Sequence, residues 1–600
     1  MARKFWLAAA LFVLAFSMRI TNAPQVFVGG FPRIAPVDDL YHWKRMTFSA
    51  AHFPQVLELD RDRGVGGAFC PWPPLYDLSA GAFARLFGAR QTLDVLQRVI
   101  WIPPFVAAIC VALTAFLAVR PFGLLAGSVL GIALSTSPFL VTDSSIGNID
   151  HHWLEWPLTF AILGSVIVAL RGRAIAGGVL LALSIVAAMF VQTALLIACG
   201  LAFVVLFAAS DGTAAAIGFS AAAVVVAAYR LTRLPGYPDN PWFLGWAHVA
   251  LFAAAAVAGA VLLFRRNRPL ALACGIATVF AIPTAPASIL AGTRFFGGQR
   301  WLQTIVEFQP MWKGQPADLL SQAAGLSAGL LLVWILAAYA VRRRDAVRGA
   351  IALYAILYLL LTISSRRFWS VGIPLLALAG AVSVTILSGR RRMLAAAAVA
   401  LIPAVQLALW LPDLKPPIEE QQMPWIRTAL FLQRQPRMGR VLAPWSIGHV
   451  LDVIGERAVV IDNFGTMPDS IAFGNASDAL LSRDEDSLAR YCDRTGVRYL
   501  VIDNPLYGLR GVAAAVGIDP GAFVQSDAQG RPVRITRLAE ATWWWRAYFG
   551  RGRAVPAEGI FGRPFTRFRL AWADPQPSWH GTAMYRGPAL EVWEYVPRVR

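Results

Sequence analysis

Apolar runs of about 20 residues recur from residue 4 to about residue 412 and then stop. The hydrocarbon core of a bilayer is about 30 Å thick, so a helix needs roughly 20 apolar residues to cross it. Because lipid offers no partner for backbone polar groups, a chain with many such runs folds into membrane-spanning helices. The sequence therefore predicts a polytopic α-helical membrane protein, followed by a region of a different kind.

We predict thirteen transmembrane helices, at 4–20, 97–118, 121–141, 153–170, 174–191, 192–209, 213–230, 244–264, 269–289, 321–341, 348–365, 368–388 and 392–411. The composition agrees, since 57% of the 600 residues are hydrophobic and 15% are charged. The run 174–209 can be cut in more than one place, and we divide it into two helices. The first span is interpreted as an uncleaved signal-anchor, because twelve further spans follow it.

Basic residues give the orientation, because cytoplasmic loops of membrane proteins are enriched in Lys and Arg. With the N-terminus inside, the predicted inner side has fifteen basic residues and the short outer loops have seven. An odd number of spans then places the C-terminal region outside. The formal charge of +19 partly reflects this asymmetry, so it does not indicate a nucleic-acid partner.

The sequence divides into a transmembrane domain, residues 1–412, and a C-terminal extracytoplasmic mixed α/β domain, residues 413–600. In the second part, the short apolar stretches RAVVIDNF, VRYLVIDN and ALEVWEYVP predict strands. The stretch SLARYCDRTG predicts a helix that ends at its glycine.

Several ionisable residues that are uncommon beside apolar spans lie on the predicted outer face. In NIDHHWLE, Asp150 and His152 are two residues apart, and both side-chain types ligate divalent metals. The alternative is a set of polar residues at a hydrated helix end. His151 and Glu155 either support the metal ligands or belong to the helix end, and the choice between these roles is left open. In APVDDLYHWKRM, Asp38 and Asp39 precede a helical stretch, where paired carboxylates also serve as N-caps.

Two further motifs lie on the same face. Glu307 in RWLQTIVEFQPMW is surrounded by apolar and aromatic residues, so its carboxylate either completes a metal site or stabilises a helix. Arg366 and Arg367 in SSRRFW depart from the positive-inside trend. A guanidinium group suits phosphate oxygens, and the alternative is an arginine that reaches the lipid headgroups.

Together these motifs resemble the catalytic subunit of oligosaccharyltransferase and its single-subunit bacterial and archaeal relatives, which are membrane glycosyltransferases of the GT-C fold. Asp39 is similar to the first acidic motif of that family, and Asp150-His151-His152 to its archaeal D-H-H motif. Thr304-Ile305-Val306-Glu307 is similar to the family's T-I-x-E loop motif. Arg367-Phe368 resembles its arginine that binds lipid pyrophosphate.

The resemblance implies an inverting, metal-dependent transfer of a glycan from a polyprenyl-pyrophosphate donor to an acceptor protein or peptide. Mn²⁺ or Mg²⁺ would be held by Asp39, Asp150, His152 and Glu307, with Asp39 and Glu307 also polarising the acceptor amide. Arg367, together with Arg366, would bind the pyrophosphate. The lipid of the donor lies in the bilayer, which agrees with a membrane enzyme. The high Ala, Arg and Gly content, with no obvious eukaryotic targeting signal, indicates a bacterial inner membrane, and the predicted orientation places the active site on its extracytoplasmic side.

The sequence departs from the family at the acceptor motif W-W-D-Y-G. Here Pro444-Trp445-Ser446-Ile447-Gly448 stands in its place, so Ser446 replaces the acidic residue. A serine does not accept a hydrogen bond as a carboxylate does, and the N-x-S/T acceptor is therefore an open question. Trp445, Ser446 and Thr304 are the candidates for acceptor contact.

Two alternative functions are kept. One is a GT-C transferase that uses a polyprenyl-monophosphate sugar without metal and modifies a hydroxyl group or a lipid. The other is a non-catalytic glycolipid transporter or scaffold, although the sequence shows no internal repeat of the kind that transporters have.

Overall fold

The computed structural model describes residues 2–29, 31–298, 301–302, 305–311, 316–410, 418, 420–527, 532–550, 564–578 and 587–597. The described residues up to 410 are mostly helical. The long apolar helices are Ala2–Arg19, Ile102–Phe122, Leu124–Thr136, Glu155–Leu170, Ala174–Val191, Leu196–Ala208, Gly212–Leu231, Trp246–Arg265, Arg268–Phe280, Pro316–Arg343, Ala346–Ser364, Trp369–Ser383 and Gly389–Trp410. Each overlaps one of the predicted spans.

The helices confirm a multi-pass membrane protein. Within the described ranges, eight helices are long and apolar enough to cross a membrane, or nine if one bent pair forms a single span. Leu124–Thr136 and Thr193–Ala208 are apolar but shorter. Thirteen crossings therefore stays a prediction.

One predicted span differs from the structure in shape. Residues 269–289 form no continuous helix, because Arg268–Phe280 and Ala285–Gly298 are separate helices, and the pair is bent by 99°. Pro283 lies in the break, and proline removes a backbone donor and disfavours helical geometry in the residue before it. By contrast, the predicted division of 174–209 is present, with an extended backbone at Gln192.

Small residues allow the membrane helices to approach one another closely. A Cβ atom on Gly212 would lie 2.4 Å from the carbonyl oxygen of Gly259, so helices Gly212–Leu231 and Trp246–Arg265 touch through their backbones. Packing through small residues is typical of helices in a bilayer, where burial of apolar surface cannot drive association.

Shorter elements connect the long helices. The segment after the first helix forms two small hairpins, Phe27–Val28 with Phe31–Pro32 and Leu59–Asp60 with Ala68–Phe69. Its helices are Ala23–Val26, Asp38–His52, Leu75–Leu86 and Thr92–Val99. Further along are the helix Pro138–Asp143 and the 3₁₀ helices His151–Leu154, Thr193–Leu195, Val306–Phe308 and Arg366–Phe368.

The C-terminal region is an α/β structure built on a four-stranded sheet. Its strands lie in the order Arg440–Leu442, Val497–Asp503, Leu590–Tyr595 and Phe568–Ala573, and only the first pair is parallel. A hairpin joins Val524–Ser526 to Pro532–Ile535. The helices are Met423–Gln433, Gly448–Val453, Ser470–Leu480, Glu485–Thr495, Pro505–Ala515, Arg537–Glu540 and Trp543–Gly550, with 3₁₀ helices at Glu420–Gln422, Trp445–Ile447 and Pro520–Ala522.

The predictions for this region are mostly confirmed. The strands in VRYLVIDN and ALEVWEYVP are present, and the helix Glu485–Thr495 ends at Gly496, which has a φ of 69°. The predicted strand in RAVVIDNF is wrong. There Val459 forms only isolated bridges, to Arg63 and to Val441, before the chain turns at Asp462. The boundary at 412/413 stays a prediction, because residues 411–417 lie outside the described residues.

Charged residues join the segment that follows the first helix to the C-terminal region. Arg63 and Asp462 form a buried ion pair. The Nζ of Lys44 lies 2.8 Å from Asp452 and 2.7 Å from Asp60. These contacts hold the start of helix Asp38–His52 against the C-terminal region, and a cavity lies beside this contact.

Candidate active site

One end of the helix bundle, the segment 305–311 and the C-terminal region enclose a cavity of about 400 Å³. Its ionisable and amide side chains come from separate parts of the chain and are Asp38, His152, Glu155, Gln192, His248, Glu307, Arg367 and Asn463. Its aromatic side chains are Trp72, Trp242, Trp301, Phe308, Tyr358, Phe368 and Phe464. Three residues chosen from sequence motifs, His152, Glu307 and Arg367, thus line one cavity.

The two consecutive aspartates at the start of helix Asp38–His52 point in different directions. Asp39 is 2% exposed, and its Oδ1 accepts the backbone N–H groups of Ile149 at 2.5 Å and Asp150 at 3.1 Å. Asp38 instead lines the cavity. Asp39 therefore holds the segment that leads to Asp150, whereas the cavity-facing carboxylate belongs to Asp38, which the motif match did not select.

Carboxylates are crowded around this point. Burial and the negative charges of Asp150 and Glu307 raise the pKa of Asp38 to about 8. Burial and Asp150 also raise the pKa of Asp39 to about 7, although the Ile149 N–H opposes this rise. Repulsion between ionised carboxylates favours either a bound proton or a bound cation. The charge arrangement therefore fits a divalent metal ion.

Asp150 is placed by the backbone that follows it. Its Oδ1 accepts the N–H of His151 at 2.6 Å and so caps the 3₁₀ helix His151–Leu154. Its Oδ2 lies 3.4 Å from Nε2 of His152. Two atoms that bind one ion at about 2.1 Å are about 3.0–3.4 Å apart, so this spacing suits shared metal ligation. Burial would raise the pKa of Asp150, but His152 and His151 hold it well below its usual range.

Asp150 also contacts a buried network of charged side chains. The Nε2 of His42 lies 3.3 Å from Asp150 Oδ1, and its Nδ1 lies 2.6 Å from Asp77, which also pairs with Arg45. Burial opposes protonation of His42, but Asp77 and Asp150 raise its pKa to about 9. The spacing of Asp38, His42 and Arg45 on one helix face could have indicated the network. Asp77 comes from another helix, so the sequence alone gives no sign of its role.

His151 joins the same network. Its Nδ1 lies 2.9 Å from Asp150 Oδ1 and 2.8 Å from His42 Nε2, while its Nε2 lies 2.7 Å from the amide nitrogen of Gln192. Among the described residues, two groups have ligand atoms close enough to hold a metal ion. They are His42, Asp150 and His151, and His151, His152 and Glu155.

The segment with Glu307 is held from two sides. The Ser365 hydroxyl donates to the carbonyl of Glu307 at 3.2 Å, and the N–H of Arg366 donates to Gln309 at 3.1 Å. On the other side, Trp301 is buried in the hydrophobic core of the C-terminal region. Glu307 is therefore fixed beside Arg367, although the sequence places the two 60 residues apart.

The guanidinium of Arg367 is bound by both oxygens of Glu155. Its Nη2 lies 2.6 Å from Oε1 and its Nη1 lies 3.3 Å from Oε2. Burial would lower the pKa of Arg367, but the charges of Glu155 and Glu307 raise it well above its usual range. A permanently charged guanidinium group therefore lines the cavity.

The other predicted site residues lie outside the cavity lining or outside the described residues. The Arg366 backbone holds the Glu307 segment, and the part of the cavity wall that the structure describes does not include its side chain. Trp445 packs edge-on against Trp301, with ring centroids 5.6 Å apart. The carbonyl of Ser446 accepts a hydrogen bond from Asn463 at 3.1 Å. Thr304 lies outside the described residues.

Sequence comparisons give no relatives, since no protein-family model and no curated protein sequence matches the chain. Solved structures do match. The archaeal oligosaccharyltransferase AglB from Archaeoglobus fulgidus, in complex with an inhibitory peptide and a dolichol-phosphate, has a TM-score of 0.81 at 13% identity. The match covers 99% of this chain and 88% of that one.

Two further structures of the Archaeoglobus fulgidus enzyme match over similar lengths. One is tethered to an acceptor peptide with the NVT sequon and has a TM-score of 0.76 at 14% identity, covering 99% of this chain and 88% of that one. The other is a complex with Zn and sulfate and has a TM-score of 0.73 at 13% identity, covering 98% of this chain and 88% of that one. The predicted architecture of a helical membrane domain with a C-terminal α/β region is confirmed, and the chain has the fold of an archaeal oligosaccharyltransferase.

Proposed function

We propose that the protein is an inverting, metal-dependent glycosyltransferase that moves a glycan from a polyprenyl-pyrophosphate donor to an acceptor protein or peptide. The observation that carries the proposal is the composition of one cavity. Carboxylates and an imidazole suited to a divalent ion line it together with a partly buried guanidinium group suited to phosphate. The shared fold with oligosaccharyltransferase supports the same class of reaction.

In the proposed site, Mn²⁺ or Mg²⁺ would be held first by Asp150 and His152, whose Oδ2 and Nε2 atoms lie 3.4 Å apart. Asp38 and Glu307, which belong to neither of the two compact groups of described residues, would complete the ligand set by moving towards the ion. A bound divalent ion would neutralise negative charge on the pyrophosphate leaving group. The sequence motif suggested Asp39 as a ligand. The hydrogen bonds from Ile149 and Asp150 instead favour a supporting role for Asp39, in which its carboxylate fixes the backbone before Asp150.

The donor would bind with its phosphates against Arg367. A guanidinium group donates several hydrogen bonds in one plane and keeps its charge when water is excluded. The apolar wall of the cavity, which includes Leu195, Leu196 and Ile197, is suited to the lipid part of the donor. The AglB complex with a dolichol-phosphate supports this class of ligand.

The acceptor would approach from the C-terminal side, where Asn463, Phe464 and Met467 line the cavity. Glu307 and Asp38 would accept hydrogen bonds from the attacking group and so increase its nucleophilicity. Ser446 lacks the negative charge of the family's acceptor motif. The acceptor is therefore proposed as either an asparagine side chain or a group outside the N-x-S/T sequon.

The proposed orientation places this cavity and the C-terminal region on the extracytoplasmic side of the bacterial inner membrane. Cysteines introduced at Arg391 and at the exposed Ile471 test this orientation. Intact cells are treated with a membrane-impermeant thiol reagent, and labelling at each position is measured. Labelling from outside at position 471 alone agrees with the orientation, and labelling at position 391 alone reverses it.

The proposed activity is tested by mixing purified protein with a polyprenyl-pyrophosphate oligosaccharide, with and without an N-x-T peptide. Metal-dependent glycopeptide would support a sequon acceptor, whereas release of glycan without glycopeptide would indicate another acceptor. A parallel reaction with a polyprenyl-monophosphate sugar tests the alternative donor. Transfer from that donor in the presence of EDTA, with none from the pyrophosphate, would contradict the proposal.

A further inference from the structure

We infer that Glu155 is a positioning residue that orients the metal ligand His152 and the phosphate-binding Arg367 with a single carboxylate. The inference rests on the proposed function and assigns a role to Glu155, for which the sequence left the choice open. It predicts that one substitution changes metal binding and phosphate binding in opposite directions.

Glu155 is 4% exposed and begins the helix Glu155–Leu170. A glutamate that only stabilises the start of a helix normally lies in solvent. Here Oε1 accepts hydrogen bonds from Arg367 at 2.6 Å and from Nδ1 of His152 at 2.9 Å. Oε2 accepts from Arg367 at 3.3 Å and from the Ser370 hydroxyl at 2.9 Å. Both oxygens therefore have two donors each.

The contact with His152 fixes which ring nitrogen carries the proton. Nδ1 of His152 lies 2.9 Å from Oε1 of Glu155 and 3.1 Å from Nη2 of Arg367. The carboxylate only accepts and the guanidinium only donates, so the shorter contact favours Nδ1–H as the donor to Glu155. In the neutral imidazole, Nε2 then carries the lone pair, and it lies 3.4 Å from Oδ2 of Asp150. A carboxylate bound to the second ring nitrogen is the usual support of a metal-binding histidine. Glu155 thus presents His152 to the proposed ion.

The contact with Arg367 balances a partly buried positive charge. The pair is bidentate, which fixes the plane of the guanidinium group as well as its position. Because Glu155 occupies donors on the same group that would bind phosphate, its negative charge also competes with a bound phosphate. The side chain of Glu155 therefore contacts both a ligand of the proposed ion site and the arginine proposed to bind phosphate.

The test measures two binding equilibria in purified protein, without turnover. Glu155→Gln keeps the size of the side chain but removes its charge. We expect Mn²⁺ binding, followed by electron paramagnetic resonance, to weaken by about 10–100-fold. We expect undecaprenyl pyrophosphate, measured without divalent ion, to bind at least several-fold more tightly. Local unfolding would weaken both equilibria, so the opposite directions separate positioning from damage.

Double mutants test whether Glu155 acts through its two partners. In a His152→Ala background, Glu155→Gln should weaken Mn²⁺ binding by less than twofold further. Equal losses in both backgrounds would overturn the inference, as would an unchanged Mn²⁺ affinity in Glu155→Gln. If Glu155→Gln does not fold, Glu155→Asp keeps the charge and shortens the side chain. Glu155→Asp should weaken Mn²⁺ binding and leave the affinity for undecaprenyl pyrophosphate within about threefold of the wild-type value. If Glu155→Asp binds Mn²⁺ with wild-type affinity, the inference is overturned.

Glu58→Gln provides the matched control. Glu58 forms an ion pair with Arg233 at 3.2 Å and lies outside the described cavity lining. This variant should bind both probes as the wild type does. If wild-type protein binds neither Mn²⁺ nor undecaprenyl pyrophosphate, the proposed function fails and the inference fails with it. If the wild type binds both and Glu155→Gln does not differ from it, only the inference fails.

Discussion

Arg63 and Asp462 form a buried ion pair that joins the segment after the first membrane helix to the C-terminal region. Arg63 is 1% exposed and Asp462 is 6% exposed, and the guanidinium also lies over the ring of Phe464. Removing one partner of a buried pair costs about 3–5 kcal/mol, because the other charge is left without compensation. Asp462→Asn should therefore lower the Tm of the purified protein by several degrees.

Two control variants separate this effect from a general effect of charge removal. Replacing both partners, as in Arg63→Met with Asp462→Leu, should recover part of the lost stability. Arg437 and Glu456 form an ion pair on an exposed surface, and Arg437→Met should change the Tm little. Thermal denaturation that is equal for Asp462→Asn and Arg437→Met would show that the buried pair does not hold these regions together.

The two aspartates of the first motif should differ in function. Asp38→Asn removes the carboxylate that faces the cavity, and we expect the transfer rate to fall by about 100-fold or more. Asp39→Asn keeps an oxygen that can accept hydrogen bonds from the N–H groups of Ile149 and Asp150, so the transfer rate should fall by less than about tenfold. Initial rates at saturating donor measure both, and a larger loss in Asp39→Asn would reverse the assignment.

His42 should make stability depend on pH. The carboxylates of Asp77 and Asp150 outweigh the effect of burial and raise the pKa of His42 to about 9. A folded-state pKa above the usual value of 6.5 stabilises the protein fully below pH 6.5, and this contribution is lost as the pH rises through 9. The Tm of metal-free protein should fall between pH 6.5 and 9. In His42→Gln this fall should be smaller, and an equal fall in both proteins would contradict the prediction.

Gly465 should be required for the shape of the cavity. Its φ is +56°, and an added Cβ would lie 2.4 Å from the ring of Trp301, which lines the cavity. Gly465→Ala should therefore displace Trp301 and reduce transfer by at least tenfold. Gly474 lies in the helix Ser470–Leu480 with nothing within 4 Å of an added Cβ, so Gly474→Ala should keep the wild-type rate. Equal rates in the two variants would argue against the close contact.

The membrane part of the fold could be predicted because it depends on local hydropathy. Every predicted span overlaps an apolar helix, because the bilayer requires about 20 apolar residues in each crossing, although the span 269–289 is broken into two helices. The break near Pro283 was missed, because an apolar run does not show where it bends. The apolar pattern of RAVVIDNF predicts a strand, but strand pairing depends on distant partners, and Val459 makes only isolated bridges.

The site could be predicted in part. Short motifs selected His152, Glu307 and Arg367, which line one cavity. The choice between Asp38 and Asp39 depends on side-chain directions at the start of a helix, and sequence spacing does not give these. The roles of Asp77 and Glu155 depend on contacts with residues from other helices, 35 and 212 positions away. Such contacts exist only in the folded chain.

Metal dependence of transfer at the cavity is the central claim, and one rate comparison tests it most directly. Purified wild-type protein would be treated with EDTA, supplied with a polyprenyl-pyrophosphate oligosaccharide and an acceptor, and assayed before and after Mn²⁺ is added. Asp150→Asn and Glu307→Gln would be assayed beside it. Transfer that appears only with Mn²⁺, and that falls by at least 100-fold in both variants, is the expected result. Transfer that continues in EDTA, or that is unchanged in both variants, would contradict the claim.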